Sequence, residues 1–174
     1  MIFAVVGPSG AGKDTLIAGA LVARPGLRWV RRVITRPAEA GGEPFESVSP
    51  AEFAARQARG AFALDWEAHG LRYGLPLAQM QGPGDVLFNG SRAGLPAALA
   101  RFPVLQVILV TAPDQVLARR LAARGRETAQ DIGGRLARAG FALPAGVTAR
   151  VVVNDASPAE GVARLLAALY PVNV

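Results

Sequence analysis

Apolar residues gather in short unbroken runs at Ile2 to Val6, Val86 to Phe88, Val104 to Val110 and Val147 to Val153. Runs of this length without alternation predict strands covered on both faces, as in a parallel sheet between helix layers. Segments with helical spacing separate them, the first from Asp14 to Ala23. Strand then helix, repeated, predicts an α/β fold with a parallel sheet flanked by helices.

Helix starts are marked by Ser or Thr followed three residues later by an acid: Ser49/Glu52, Thr111/Asp114, Thr128/Asp131 and Ser157/Glu160. Such a hydroxyl accepts from an early helical amide while the acid reaches back to the cap. Proline after Ser49 and Ser157 suits the first turn. From Arg36 to Gly84 the pattern breaks into short pieces punctuated by Gly and Pro. That stretch is expected to be a lobe, residues 36–84, inserted into one domain whose core is 1–35 and 85–174.

A chain of 174 residues, 51% hydrophobic and 18% charged, has the length and composition of one globular domain. No apolar run reaches the roughly 18 residues of a membrane span. Met1 leads directly into an apolar segment without a basic start or small-residue cleavage site, and there is no cysteine. A cytoplasmic location with no membrane partner is therefore expected. The net charge of +6 is spread through many elements rather than one basic run, so small phosphorylated ligands are expected instead of nucleic acid. Oligomeric state is not legible. Among 19 basic residues the single lysine is Lys13. Arginine's planar fork does not replace a compact ammonium that follows a moving phosphate.

Lys13 closes the segment Gly7-Pro8-Ser9-Gly10-Ala11-Gly12-Lys13-Asp14, which matches G-x-x-x-x-G-K between a predicted strand and a predicted helix. Its glycines allow positive φ and clear the way for backbone N–H groups to converge on phosphate oxygens at a helix N-terminus. Lys13 would span the β- and γ-phosphates of ATP. Asp14 stands where a Ser or Thr hydroxyl usually meets Mg²⁺. It either helps to hold Mg²⁺, directly or through water, or caps the helix, with Thr15 nearby as another hydroxyl.

With that loop in place, the chain resembles the guanylate kinase family over nearly its whole length. Thr35-Arg36-Pro37 is similar to the start of that family's nucleotide-monophosphate segment, Phe45 to Glu52 to the strand and helix after it, and Gly60 to Gly74 to its next hairpin region. Arg119 to Glu127 resembles the lid, Ile132 to Arg138 the helix with transition-state arginines, and Val151 to Asp155 the last strand with its Asn-Asp ending. The resemblance breaks at the acceptor. The glutamate that reads guanine falls on Leu64, the threonine after Tyr-Gly on Leu75, the second phosphate-gripping arginine on Glu39, and a strand-ending aspartate on Asn89. At roughly 1–3 kcal/mol for each lost polar contact, GMP is a poor acceptor. The carboxylate missing at Asn89 and the one gained at Asp14 read as a magnesium-organising charge moved across the site.

A divergent branch fits better. Gly-Lys-Asp-Thr-Leu at 12–16, Ala61-Phe62-Ala63-Leu64, Trp66, Ala68-His69-Gly70-Leu71, Tyr73-Gly74 and Asn89-Gly90-Ser91-Arg92 resemble the ribose 1,5-bisphosphate phosphokinase family. The resemblance implies ATP and a phosphorylated pentose as the small-molecule partners, with Mg²⁺ and 5-phosphoribosyl 1-diphosphate as product. A phosphate acceptor is already ionised and needs no general base, so positioning and charge neutralisation carry the catalysis. Lys13, Arg126 and Arg135 are the expected catalytic residues. Arg36, His69, Tyr73, Asn89 and Arg92 are expected at the acceptor, and Arg124, Arg126 and Arg138 in a helical lid over 119–138. Each has a plainer use: His69 as a turn residue, the lid arginines as a solvated helix face, and Phe62, Trp66 and Tyr73 as packing. Two further readings stay open, a nucleoside monophosphate kinase of altered base preference and a catalytically silent interaction module.

Overall fold

The computed structural model describes residues 1–40, 43–123 and 142–172. The elements among them run β1 (Ile2–Val6), α1 (Lys13–Ala23), β2 (Leu27–Trp29), β3 (Arg32–Ile34), β4 (Phe45–Ser47), α2 (Pro50–Ala58), β5 (Phe62–Ala68) and β6 (Leu71–Pro76). Then come α3 (Leu77–Met80), β7 (Asp85–Asn89), α4 (Leu95–Arg101), β8 (Leu105–Thr111), α5 (Asp114–Ala123), β9 (Arg150–Val153) and α6 (Pro158–Leu169).

The pleat of β1 explains its unbroken run. Phe3 and Val5 enter one buried cluster and Ala4 and Val6 another, so both faces are dry and no position is left for a polar side chain. The sheet around it has the order β2-β7-β1-β8-β9, and every pairing is parallel. On one face Leu16, Ile17 and Ala20 of α1, Leu117 of α5 and Leu165 and Leu169 of α6 cover Phe3, Val5, Leu87 and Ile108. On the other, Leu95 and Ala98 of α4 meet Val6, Phe88 and Val107, and the same cluster continues through Val30, Ile34, Leu64, Trp66, Tyr73 and Leu75. Each fully buried large apolar side chain contributes roughly 1.5–3 kcal/mol.

That continuation is the inserted lobe. Its sheet has the order β4-β3-β6-β5, with β3 parallel to β4 and the β3–β6 and β5–β6 pairs antiparallel. The lobe sheet therefore begins at Arg32, ahead of the boundary expected at residue 36. The apolar stretch Val30 to Ile34 serves both parts, so composition does not change where the layers do.

Two helix starts follow the sequence closely. The Ser49 hydroxyl accepts from the Glu52 amide at α2, and Ser157 and Glu160 form a reciprocal capping box at α6. Thr111/Asp114 does not work as expected. Thr111 ends β8, where its carbonyl accepts from the Asn154 amide at 2.7 Å, and the first turn of α5 bonds to the Pro113 carbonyl instead. The helix starts at Asp114, so Pro113 stands directly before it and Thr111, paired with Val153 of β9, lies two residues further back. Thr128/Asp131 lies outside the described residues. The run Val147 to Val153 forms a strand only from Arg150, because Val147 closes a turn on the Pro144 carbonyl. As an edge strand β9 is covered on one face alone, with Val152 buried while Val151 and Val153 are exposed.

Candidate active site

Because the five strands of the main sheet are parallel, their C-terminal ends share one edge, where open α/β sheets bind ligands. Gly7 continues β1 there, Trp29 ends β2, Asn89 ends β7, Thr111 ends β8 and Asn154 follows β9. The phosphate loop fills the centre of that edge. Gly7 has φ 150°, and a Cβ on it would stand 1.9 Å from the Val110 carbonyl oxygen. Gly12 has φ 86°, and its Cβ would stand 2.5 Å from Asn154 Nδ2. Neither position has room for a side chain, which accounts for glycine at both. Gly12 is also the N-cap of α1 and places no side-chain acceptor over its first-turn amides. Lys13 Nζ donates to the Gly7 and Pro8 carbonyls at 2.9 and 3.0 Å, which holds the ammonium across the mouth of the loop. Ala11 is buried, while Ser9 and Thr15 are exposed.

Asn154 is a residue the sequence reading did not single out. It is 5% exposed, and its Nδ2 donates to the Ala11 carbonyl at 2.8 Å. The segment carrying it is pinned on both sides. Its amide bonds to Thr111, and the next residue, Asp155, accepts from Arg164 at 2.7 Å. That guanidinium bond holds the Asp155 carboxyl below its usual value. Glu160 is likewise held low, by the Ser157 hydroxyl first and the Ser157 amide second. Arg120, in the segment that resembles the start of the lid, donates to the Ala11 carbonyl at 3.4 Å. Arg124, Arg126, Arg135 and Arg138 lie outside the described residues, as does the lid beyond residue 123.

Asp14 is partly buried in the first turn of α1, and its Oδ1 accepts from Asn89 Nδ2 at 2.7 Å. Asn89 is 4% exposed, and its Oδ1 accepts from Trp29 Nε1 at 3.0 Å. Two of the positions at which this chain departs from the guanylate kinase pattern, Asp14 and Asn89, thus touch. A second carboxylate at position 89 would face the Asp14 carboxylate at hydrogen-bonding distance, so an amide at 89 accompanies an acid at 14.

Register fixes the acceptor side. Ile34 pairs with Tyr73 and with Ser47, and the Thr35 amide bonds to the Arg72 carbonyl. Arg36 and the β5–β6 turn therefore lie at the same end of the lobe sheet. Arg36 stacks over the Phe45 ring at 4.1 Å, and Ser47 Oγ donates to its carbonyl. His69 and Gly70 form the two-residue turn, with φ 53° and 72°, which suits the twist of a hairpin and leaves the imidazole exposed at the tip. Arg92 is exposed in the loop after Asn89. Tyr73 is 8% exposed; its ring is stacked on Trp66 at 5.4 Å and 7° and packs in the lobe instead of facing an open surface. The sequence reading also missed a buried ion pair. Arg32, 7% exposed, grips Glu43 with two donors, Nε at 3.0 Å and a terminal nitrogen, and lies 4.8 Å from the Tyr73 ring centre. No motif marks this pair, because its partners meet only after β3 and β4 have paired.

The parallel sheet, the glycine loop with its lysine and the inserted four-stranded lobe define a guanylate-kinase-like P-loop fold. The crystal structure of guanylate kinase from Anaplasma phagocytophilum superposes with a TM-score of 0.66 over 95% of this chain and 81% of that one, at 16% identity. Sequence comparison is more specific. The chain is 51% identical over 161 residues to ribose 1,5-bisphosphate phosphokinase PhnN of Chromobacterium violaceum, covering 90% of this chain and 86% of that protein. It is also 49% identical over 171 residues, 96% of its length, to a bifunctional ribose 1,5-bisphosphokinase-thymidine phosphorylase of Cupriavidus necator. It spans 28% of that longer protein. No family model matches the chain. The chain belongs to the ribose 1,5-bisphosphate phosphokinase family.

Proposed function

We propose that the chain transfers the γ-phosphoryl group of ATP to ribose 1,5-bisphosphate, giving 5-phosphoribosyl 1-diphosphate and ADP. The observation that carries this reading is a phosphate loop complete with Lys13 and its glycines in a chain 51% identical to a ribose 1,5-bisphosphate phosphokinase over most of that protein's length. Amides of the loop from Gly7 through Pro8's neighbours Ser9, Gly10, Ala11 and Gly12, with the first turn of α1, receive the triphosphate. Lys13 exchanges its two carbonyl partners for phosphate oxygens.

Asp14 offers a carboxylate oxygen beyond the one that accepts from Asn89, and Thr15 an exposed hydroxyl. These hard oxygen donors fit Mg²⁺, which when bound neutralises charge on the phosphates. Arg36 and Arg92 hold the acceptor's phosphates, His69 closes the rim beside Arg36, and Asn89 keeps Asp14 in place while Tyr73 supports the lobe wall. Arg124, Arg126, Arg135 and Arg138 close over the transferring group. An ionised oxygen of the acceptor's 1-phosphate bonds to the γ-phosphorus as the bond to the bridging oxygen breaks, so no general base is required. Leu64 and Leu75, both buried, support a pentose over a base, since neither offers a hydrogen bond to a base edge. The reading includes a cytoplasmic location; no described helix is long and apolar enough to cross a membrane.

The test is ADP release from ATP and Mg²⁺ with ribose 1,5-bisphosphate and GMP offered separately. Turnover with the pentose bisphosphate alone is expected, with Arg36→Ala and Arg92→Ala raising its KM while the KM for ATP holds. Turnover with GMP alone would transfer the assignment to a nucleoside monophosphate kinase.

A further inference from the structure

Three elements contribute one side chain each to a chain of hydrogen bonds at the edge of the phosphate loop: Trp29 from the end of β2, Asn89 from the end of β7 and Asp14 from the first turn of α1. A carboxamide can face either way, and what turns it is the identity of its neighbours. The indole N–H of Trp29 is a donor only, so the atom 3.0 Å from it must be the Asn89 oxygen. The Asn89 nitrogen is then directed at Asp14, 2.7 Å away. A reversed amide would set donor against donor at Trp29 and oxygen against carboxylate at Asp14. At 4% exposure Asn89 has little access to water with which to replace either bond.

We propose that Trp29 is a positioning residue: its indole N–H fixes the Asn89 amide, and the amide holds the Asp14 carboxylate in the orientation that serves Mg²⁺ and nucleotide phosphate. The inference rests on the reading of this site as one for ATP and Mg²⁺. The location of the indole is itself set by backbone. Among the described residues β2 pairs with β7 alone, Trp29 lies opposite Leu87, and the Val30 amide bonds to the Leu87 carbonyl, so the strand that presents Asn89 also registers the residue that turns it. The rest of the Trp29 ring packs against the core cluster on the α1 face. Trp29→Phe therefore keeps an apolar ring and removes the N–H.

The experiment is a double-mutant cycle between Trp29→Phe and Asp14→Ser, read as Mn²⁺ binding to the ADP complex by electron paramagnetic resonance. Loss of the outer partner of a metal-bound side chain, here Asn89, weakens metal affinity roughly 10–100-fold, and Trp29→Phe, one bond further out, is expected at the lower end, about tenfold. ADP affinity without metal should stay unchanged, and no further loss should appear when Asp14 is already Ser. Additive losses, or metal affinity unchanged in Trp29→Phe, would overturn the proposal. If Trp29→Phe does not fold, the two tryptophans give a second route. In ¹⁵N-labelled protein bound to ADP, the Trp29 indole signal should move when Mg²⁺ is added, and should stay still in Asp14→Ser. Equal movement in both proteins, or none in either, would overturn it. Failure of ADP to bind at all would remove the functional reading and this inference with it, whereas ADP binding with an additive cycle would remove the inference alone.

Discussion

The phosphate loop itself is held by side chains that bond to its backbone: Lys13 to the Gly7 and Pro8 carbonyls, and Asn154 and Arg120 to that of Ala11. In the acceptor lobe they meet one another. Trp66 stacks on Tyr73, Phe53 on Phe62 at 4.7 Å, and Arg32 pairs with Glu43 between β3 and the start of β4. The loop's shape is therefore carried by backbone that needs glycine and a few braces, while the lobe's shape is carried by mutual packing of large side chains. Apart from Gly7 and Gly12, which have no room for a side chain, substitutions at the loop should change chemistry with little cost to folding. Substitutions in the lobe should cost folding first.

The largest effect should come from Lys13→Ala. Removing a charge that spans the transferring phosphates should lower kcat/KM roughly a thousandfold, while the urea midpoint stays near that of the parent. A comparable loss of stability would break the contrast. In the lobe, Glu43→Ala strands a buried guanidinium and should cost roughly 3–5 kcal/mol in urea unfolding. The paired change Arg32→Leu with Glu43→Leu should recover most of that, since apolar residues of similar volume often replace a buried ion pair without loss.

A smaller effect is expected where the two regions meet. Asp14→Ser should raise the Mg²⁺ requirement about tenfold, and adding Asn89→Asp should restore part of it, because the new carboxylate would stand beside the Ser hydroxyl. A double variant no better than the single would refute the idea that charge moved between the two positions. The smallest effect concerns the two carboxylates that follow Asn154, one paired with Arg164 and one capping α6. The Asp155 and Glu160 carboxyls titrate below their ordinary values of 3.8 and 4.5 in the folded protein. Their contribution is fully present above those values and is lost as pH falls through the lower folded ones. Melting temperature should therefore drop as pH falls below about 4, and Glu160→Gln should flatten that slope, as thermal melts in a pH series would show.

The parts legible in the sequence are those whose physics is local. A strand, a glycine turn and a helix are contiguous from Ile2 to Ala23, and the capping box at Ser157 spans one helical turn. Thr111 was misread because the residue that decides its conformation, Val153 in β9, is far along the chain. Arg32 with Glu43, and Trp29 with Asn89, were illegible for the same reason: each pair forms only once a sheet register has been set, and neither follows a helical or strand period. Asn154 stood within the recognised Asn-Asp ending, yet its use as a brace on Ala11 follows from burial that the motif does not express.

The most direct test of the central claim is phosphorus NMR of the complete reaction with ribose 1,5-bisphosphate, ATP and Mg²⁺. The account requires the signal of the 1-phosphate to be replaced by two mutually coupled diphosphate signals, in step with the loss of ATP and the gain of ADP. Release of inorganic phosphate with the 1-phosphate signal unchanged would contradict it, because the γ-phosphoryl group would then have gone to water and the acceptor lobe would not hold the pentose bisphosphate.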